Sequence, residues 1–304
     1  MIEITVALVP IFTIIGLGFL LKNKSLIAED FWLPCEKLNY FYLFPTLMFT
    51  QIASANFAGF SLQSIAITLL GAIAAGGALL YGWRFIRPQP GPIFSSILQG
   101  ALRPNTYVGV AAATALYGHL GLMVIAIAIA ITIPVLNVGS IIVLAFHGSD
   151  GALDKLRLIK TIATNPVIVS VLVGITVNFL GIEIPRPLAS TLNILGKASL
   201  PLGLLAVGSG LDITAARTSH GPVLQSTVVK LVLVPLVTYI IGETLGLRGV
   251  PLSAIVLFNA LPCTPSAYIM ARLLGGEHRI AAGIISVQTA LAAVTLPVVL
   301  AALG

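Results

Sequence analysis

The chain has 304 residues, 58% of them hydrophobic and only 9% charged, with a mean hydropathy of +1.06. A soluble domain of this length cannot bury so much apolar surface, which excludes a water-soluble enzyme or binding module and makes the lipid bilayer the first partner. The net charge of +6 would suit a nucleic acid if the cations shared one solvated face, but they fall between apolar runs, so no nucleic-acid partner is expected.

A spanning helix needs about 20 predominantly apolar residues. In chain order, such stretches lie near residues 4–21, 31–53, 61–83, 93–118, 120–145, 162–180, 188–211, 222–242, 251–275 and 280–302. None alternates with the period of two required of a barrel strand, so an all-α integral membrane protein with ten transmembrane helices is expected. The opening "MIEITVALVP" has no basic region before its apolar run, and helix 1 is therefore expected to stay in the protein. The connections after helices 1, 3, 5, 7 and 9 carry Lys22, Lys24, Arg84, Arg87, Lys155, Arg157, Lys160, Arg217, Arg272 and Arg279. Those after helices 2, 4, 6 and 8 carry Arg186 and Arg248 alone. The positive-inside rule then turns the first set to the cytoplasm of a cell inner (plasma) membrane and leaves both termini outside. Cys35 and Cys263 sit in separate apolar segments and read as buried free thiols, without support for a disulfide or metal site, and no cofactor is expected.

The prolines repeat. Pro10 in "ALVPIFTIIG" and Pro166 in "ATNPVIVSVLVG" are 156 residues apart, as are Pro45 in "YLFPTLMF" and Pro201 in "ASLPLGLL". Pro104 and Pro262 are 158 apart, with Pro265 close behind in "NALPCTPSAY". Two halves of five helices follow, residues 1–147 and 161–304, joined by a cytoplasmic loop at 148–160. An odd number of spans inverts the second half relative to the first, the pattern of secondary transporters.

Pro104, Pro262 and Pro265 fall inside predicted spans 4 and 9, where the missing amide and the ring clash interrupt a helix. Each interruption leaves free carbonyls on one half-helix and free amides on the next, negative and positive poles respectively. Such groups must face protein or a water-filled cavity, and paired interruptions in corresponding positions point to a substrate site. The polar side chains around them are Gln99, Arg103, Asn105, Thr106, Tyr107, Asn259, Thr264, Ser266 and Tyr268.

"RPNTYVG" in helix 4, "NALPCTPSAYIMA" in helix 9, "TNPVIVSVLVG" in helix 6 and "ASLPLGLLAVGSGL" in helix 7 together resemble the auxin efflux carrier family, the bacterial relatives of plant PIN transporters. The resemblance covers nearly the whole chain. It implies broken, crossing helices 4 and 9 in a fold shared with sodium/proton antiporters and bile-acid symporters. It also implies a scaffold of helices 1, 2, 6 and 7, against which a transport unit of helices 3–5 and 8–10 moves like an elevator. Related folds dimerise through the scaffold, so a homodimer through those helices is the implied oligomer. The plant proteins begin their helix 4 motif with Asn where this chain has Arg103, so the substrate need not be auxin, and their long central loop is replaced by "HGSDGALDKLRLIKT".

The residues expected to meet substrate are Arg103, Pro104, Asn105, Thr106, Tyr107, Asn137, Asn259, Pro262, Thr264, Pro265, Ser266 and Gln288. Arg103 is either a counter-ion for an anionic substrate or a cap on the carbonyl end of its own half-helix. Asn105 and Thr106 begin the second half-helix and suit both capping and substrate contact. Asn137 of helix 5 and Gln288 of helix 10 occupy comparable places and either line a cavity or bond between helices. Lys197 and Lys230, each about nine residues into a span, are expected to snorkel to the interface. His119, His147, His220 and His278 are expected at the solvated surface.

No Asp or Glu occupies the centre of a predicted span, which disfavours antiport through a buried aspartate pair. The leading expectation is a transporter, not an enzyme, for a small organic anion such as a carboxylate or auxin-like acid. Export of an anion gains about 2.3 kcal/mol per charge for each 100 mV of inside-negative potential. The alternatives are a sodium-coupled symporter of the bile-acid type and a non-transporting metabolite sensor. An intramembrane enzyme would need a zinc, paired-aspartate or Gly-x-Ser-x-Gly motif, none of which the sequence holds.

Overall fold

A computed structural model describes residues 2–55, 61–147, 164–218 and 220–303, and among these helices are the only extended regular elements. The expected connection at 148–160 and the first residues of the sixth predicted span lie outside the described residues. In chain order come α1 (Ile2–Asn23), α2 (Glu29–Leu38), α3 (Phe44–Ala53), α4 (Leu62–Ile86), α5 (Gly91–Leu102) and α6 (Thr106–His147). They are followed by α7 (Pro166–Phe179), α8 (Arg186–Ser209), the short α9 (Ile213–Thr218), α10 (His220–Val228) and α11 (Val234–Thr244). The chain ends with α12 (Gly249–Ala260), α13 (Ser266–Leu273) and α14 (His278–Leu303).

Proline and glycine shape the helices. A π turn, Asn39–Leu43, joins α2 to α3 and another, Val229–Leu233, joins α10 to α11. Each is followed by the same dipeptide pattern, Phe44-Pro45 and Val234-Pro235, where a proline without an amide obliges the preceding turn to widen. Along α6 the direction changes at Gly118, whose φ of 61° and ψ of −144° suit a residue without Cβ.

Among the described residues six helices are long and apolar enough to cross a membrane: Ile2–Asn23, Leu62–Ile86, Thr106–Leu144, Arg186–Ser209, His220–Thr244 and His278–Ala302. Pro166–Phe179 and Gly249–Ala260 are shorter apolar helices. The protein is thus an integral membrane protein, helical throughout the regular elements of its described residues. Its outside is apolar, with Phe85 and Phe179 each 87% exposed, whereas Arg103, Lys230 and Gln288 are inside. That inversion of the soluble pattern is what a hydrocarbon solvent selects.

The helices pack in two groups. In one, α1 lies on α8, and α3 on α7 and α8; in the other, α4 packs on α11, α6 on α12, and α5 on α6, α10 and α14. The groups meet where α6 touches α1, α3, α7 and α8, and where α14 touches α1. The α1–α8 crossing depends on two glycines facing opposite ways. A Cβ on Gly18 would fall on the carbonyl oxygen of Leu205, and one on Gly208 would fall on that of Ile15. Gly208→Ala is therefore expected to cost about 1–3 kcal/mol through overpacking, read as a lowered thermal unfolding temperature in detergent. Gly16→Ala, with nothing within 4 Å of the added methyl, should leave that temperature unchanged or raise it.

The histidines divide. His119 and His220 are exposed, as expected, but His147 and His278 are half-buried. Arg84 Nη1 lies 3.1 Å and 3.0 Å from the two ring nitrogens of His147 and stacks over Phe94, so the end of α6 is tied to α4 and α5. Burial and the neighbouring guanidinium both pull the His147 imidazole below its ordinary value. His278 meets Tyr268 edge-on at 5.7 Å. Local sequence could not reveal these aromatic partners because they come from other helices.

Candidate functional site: the crossing of two interrupted helices

Helix α5 stops at Leu102 because Pro104 disfavours a helical residue before it, and Arg103 is extended at φ −84° and ψ 114°. The same rule ends α12: Leu261, before Pro262, has φ −61° and ψ 146°. The two extended breaks lie antiparallel, bridged at Pro104 and Cys263. The amide of Asn105 donates to the carbonyl of Pro262 at 2.8 Å, so each interruption satisfies part of the other's backbone. Asn105 also caps α6, its Oδ1 accepting from the Val108 amide at 3.4 Å.

Gln288 of α14 locks this crossing from behind. Its Oε1 accepts from the Cys263 amide at 2.8 Å, while Nε2 donates to the Gly100 carbonyl at 3.2 Å and lies 3.3 Å from Ser226 Oγ. Ser226 in turn donates to the Ile97 carbonyl at 3.1 Å. One fully buried amide thereby holds both interrupted helices and α10. Gly100 permits the approach, since a Cβ there would lie 2.6 Å from Ser226 Oγ and from Ile284.

Arg103, 7% exposed, reaches the other way. Its Nη1 donates to Asn137 Oδ1 at 3.0 Å and Ser140 Oγ at 3.1 Å, both on α6, and its Nη2 donates to Ser266 Oγ at 3.2 Å, at the start of α13. The guanidinium does not cap its own half-helix. With five N–H donors in a fixed fork, it keeps Nε–H, which is buried without a partner, and the second Nη2 hydrogen. Two charged donors therefore remain for an anion. Tyr40, from the π turn before α3, accepts from Asn165 Nδ2 at 3.2 Å with its hydroxyl.

The expected residues divide by position. Arg103, Asn137 and Ser266 are joined directly, Thr264 Oγ1 sits 3.3 Å from Ser266 Oγ, and Pro265 precedes α13 as its N-cap. Pro104, Asn105, Pro262 and Gln288 form the crossing itself. Thr106 opens α6, half-buried. Asn259 turns away, donating to Thr238 Oγ1 at 2.8 Å. Tyr107 lies outside the hydrogen-bonded crossing, its ring edge-on to Phe44 at 4.9 Å and against Gly203 of α8, where a Cβ would come within 2.7 Å. Asn137 and Gln288 make parallel bonds in the two halves, one to each break.

Lys230 corrects an expectation. It does not snorkel: it is 0% exposed, in the π turn before α11, and its Nζ lies 3.4 Å from the Leu102 carbonyl. The negative end of α5 thus faces Lys230, not Arg103. Lys197 is exposed, in keeping with an interfacial lysine. Ser140, Ser226 and Lys230 are the members of the site that sequence reading missed. Ser140 and Ser226 carry no distinguishing signal, whereas "VVKLVLVP" held one for Lys230, a cation five residues before a helix proline.

The chain matches, over residues 3–147 and 153–300, the model of a family described as membrane transport protein. It is 25% identical over 274 residues to the uncharacterized transporter YfdV of Escherichia coli (strain K12), covering 87% of this chain and 86% of that protein. It is 24% identical over 297 residues to an uncharacterized transporter of Methanothermobacter thermautotrophicus, covering 96% of each. A putative malonate transporter of Rhizobium meliloti is 27% identical over 147 residues, covering 48% of this chain and 46% of that protein.

Proposed function

This chain belongs to the membrane transport protein family, that of the auxin efflux carriers, and from that premise we propose that it carries a small organic anion, a carboxylate, across the cell inner membrane. The observation that carries the reading is the unspent donor capacity of Arg103, a cation beside the paired breaks with Nε–H unpartnered. A carboxylate taking those donors would gain charge-assisted hydrogen bonds. The amide-rich start of α6 adds positive potential to the same place. Asn105, Thr106, Thr264 and Ser266 would orient the anion. The name of the Rhizobium meliloti relative supports malonate as the first compound to try.

In this reading the protein has ten spans as two inverted five-helix repeats, 1–147 and 161–304, with both termini outside. Helices α1, α2–α3, α7 and α8 form the scaffold, through which two copies would pair, and the remaining helices form the unit that moves. The packing of the described helices in two groups that meet mainly along α6 supports an elevator-like motion between them. A thermal-shift screen of purified protein against malonate, succinate, acetate and indole-3-acetate tests the reading. A ligand at 100 times its Kd is expected to stabilise the protein by about 2.7 kcal/mol, and the same compound should exchange across proteoliposomes. Exchange absent for every carboxylate that binds would favour a sensor instead.

A further inference from the structure

Among the described residues Lys230 is, besides Arg103, the one buried Lys, Arg, Asp or Glu, and the carboxylate reading does not use it. It lies in the π turn between α10 and α11, and its Nζ meets a single acceptor, the Leu102 carbonyl, at the long end of the hydrogen-bond range. The elements packed on that turn are α4, α5, α10, α11, α12 and α14, and the buried titratable group nearest to them in the chain is the Cys263 thiol just beyond α12, which donates to the Thr264 carbonyl. Arg103 follows α5 but spends its guanidinium on α6 and α13. No described carboxylate pairs with Lys230. An ammonium held this way lacks two of the three acceptors it can use, and desolvation without a counter-charge is costly at membrane depth. Nearby polar groups are left open: Thr227, three residues earlier, and Gln99, three before Leu102, both hold buried side-chain atoms without partners.

We propose that Lys230 is the coupling site of this transporter, taking up a proton when a carboxylate binds at Arg103 and giving it up when the carboxylate leaves. The proposal rests on the carboxylate reading above. Leu102 and Arg103 are adjacent, so the acceptor of Lys230 and the proposed anion site share one break. A carboxylate arriving there brings the counter-charge the ammonium lacks, and the two charges enter the low-dielectric crossing together. Anion and proton then move as a pair, which cancels one negative charge per anion and with it that charge's share of the membrane-potential cost of import. A resident amine also supplies the positive charge for which a sodium ion would otherwise be needed.

The test is calorimetric titration of malonate into purified wild-type protein at pH 7.5, in buffers of different ionisation enthalpy. The slope of observed heat against buffer enthalpy counts the protons taken up. About one proton per anion is expected, with apparent affinity falling about tenfold per pH unit above pH 7.5. Lys230→Arg, permanently charged, and Lys230→Met should bind malonate with no proton uptake and a flat pH profile. Malonate binding to the wild type without proton uptake overturns the proposal, as does uptake unchanged in both variants. If malonate and the other carboxylates fail to bind at all, the carboxylate reading falls and takes this proposal with it.

Discussion

Gln288→Leu is expected to be the most destabilising single substitution in the protein. Leucine fills the volume but makes no hydrogen bond, so the Cys263 amide, the Gly100 carbonyl and the Ser226 hydroxyl lose a partner together. Each buried polar group left unsatisfied costs about 1–3 kcal/mol, and Gln288 is 0% exposed. Ser226 keeps the Ile97 carbonyl, but the Cys263 amide and the Gly100 carbonyl are left with none, and two such groups amount to a large part of the stability of a typical domain. The variant should express poorly or unfold many degrees below wild type in detergent, followed by circular dichroism. Gln99→Leu supplies the contrast. Both amide atoms of Gln99 are buried without partners, so its removal should leave the unfolding temperature unchanged or higher. Equal losses in the two variants would show that Gln288 does not hold the crossing.

Arg103→Ala carries the largest expected functional effect. Hydrogen bonds to a charged group contribute about 1.5–3 kcal/mol each, so losing two such bonds to the anion should weaken binding by at least about a hundredfold. Transport in proteoliposomes should fall with it. Arg103→Lys keeps the charge without the fork and is expected to recover only part of the affinity. Because the guanidinium also holds Asn137, Ser140 and Ser266, both variants should lose some thermal stability. Binding is therefore compared at a temperature where all three proteins are folded.

How much of this was legible in the sequence varies by kind of interaction. The breaks at residues 103–105 and 261–265 follow from a local rule, the restriction that proline places on the residue before it, and needed no tertiary knowledge. Arg103 stood out because it neighbours one of those prolines. Its partners did not, since Ser140 is indistinguishable in sequence from any serine of an apolar helix. Lys230 shows the limit most clearly. Counting residues from the end of a span suggests that its amine can reach the interface, but which way a side chain turns is set by what packs around it. The Leu102 carbonyl of another helix decides that, and it is a tertiary fact. Gly18 and Gly208 were silent for the same reason, as each matters only because of the other helix.

The most direct measurement is an experimental structure of the protein with bromomalonate, whose bromine can be located by anomalous scattering. The account predicts a carboxylate about 3 Å from Arg103 Nε and Nη2, beside the break between α5 and α6. Bromine ordered elsewhere, with Arg103 still bonded only to Asn137, Ser140 and Ser266, would contradict it.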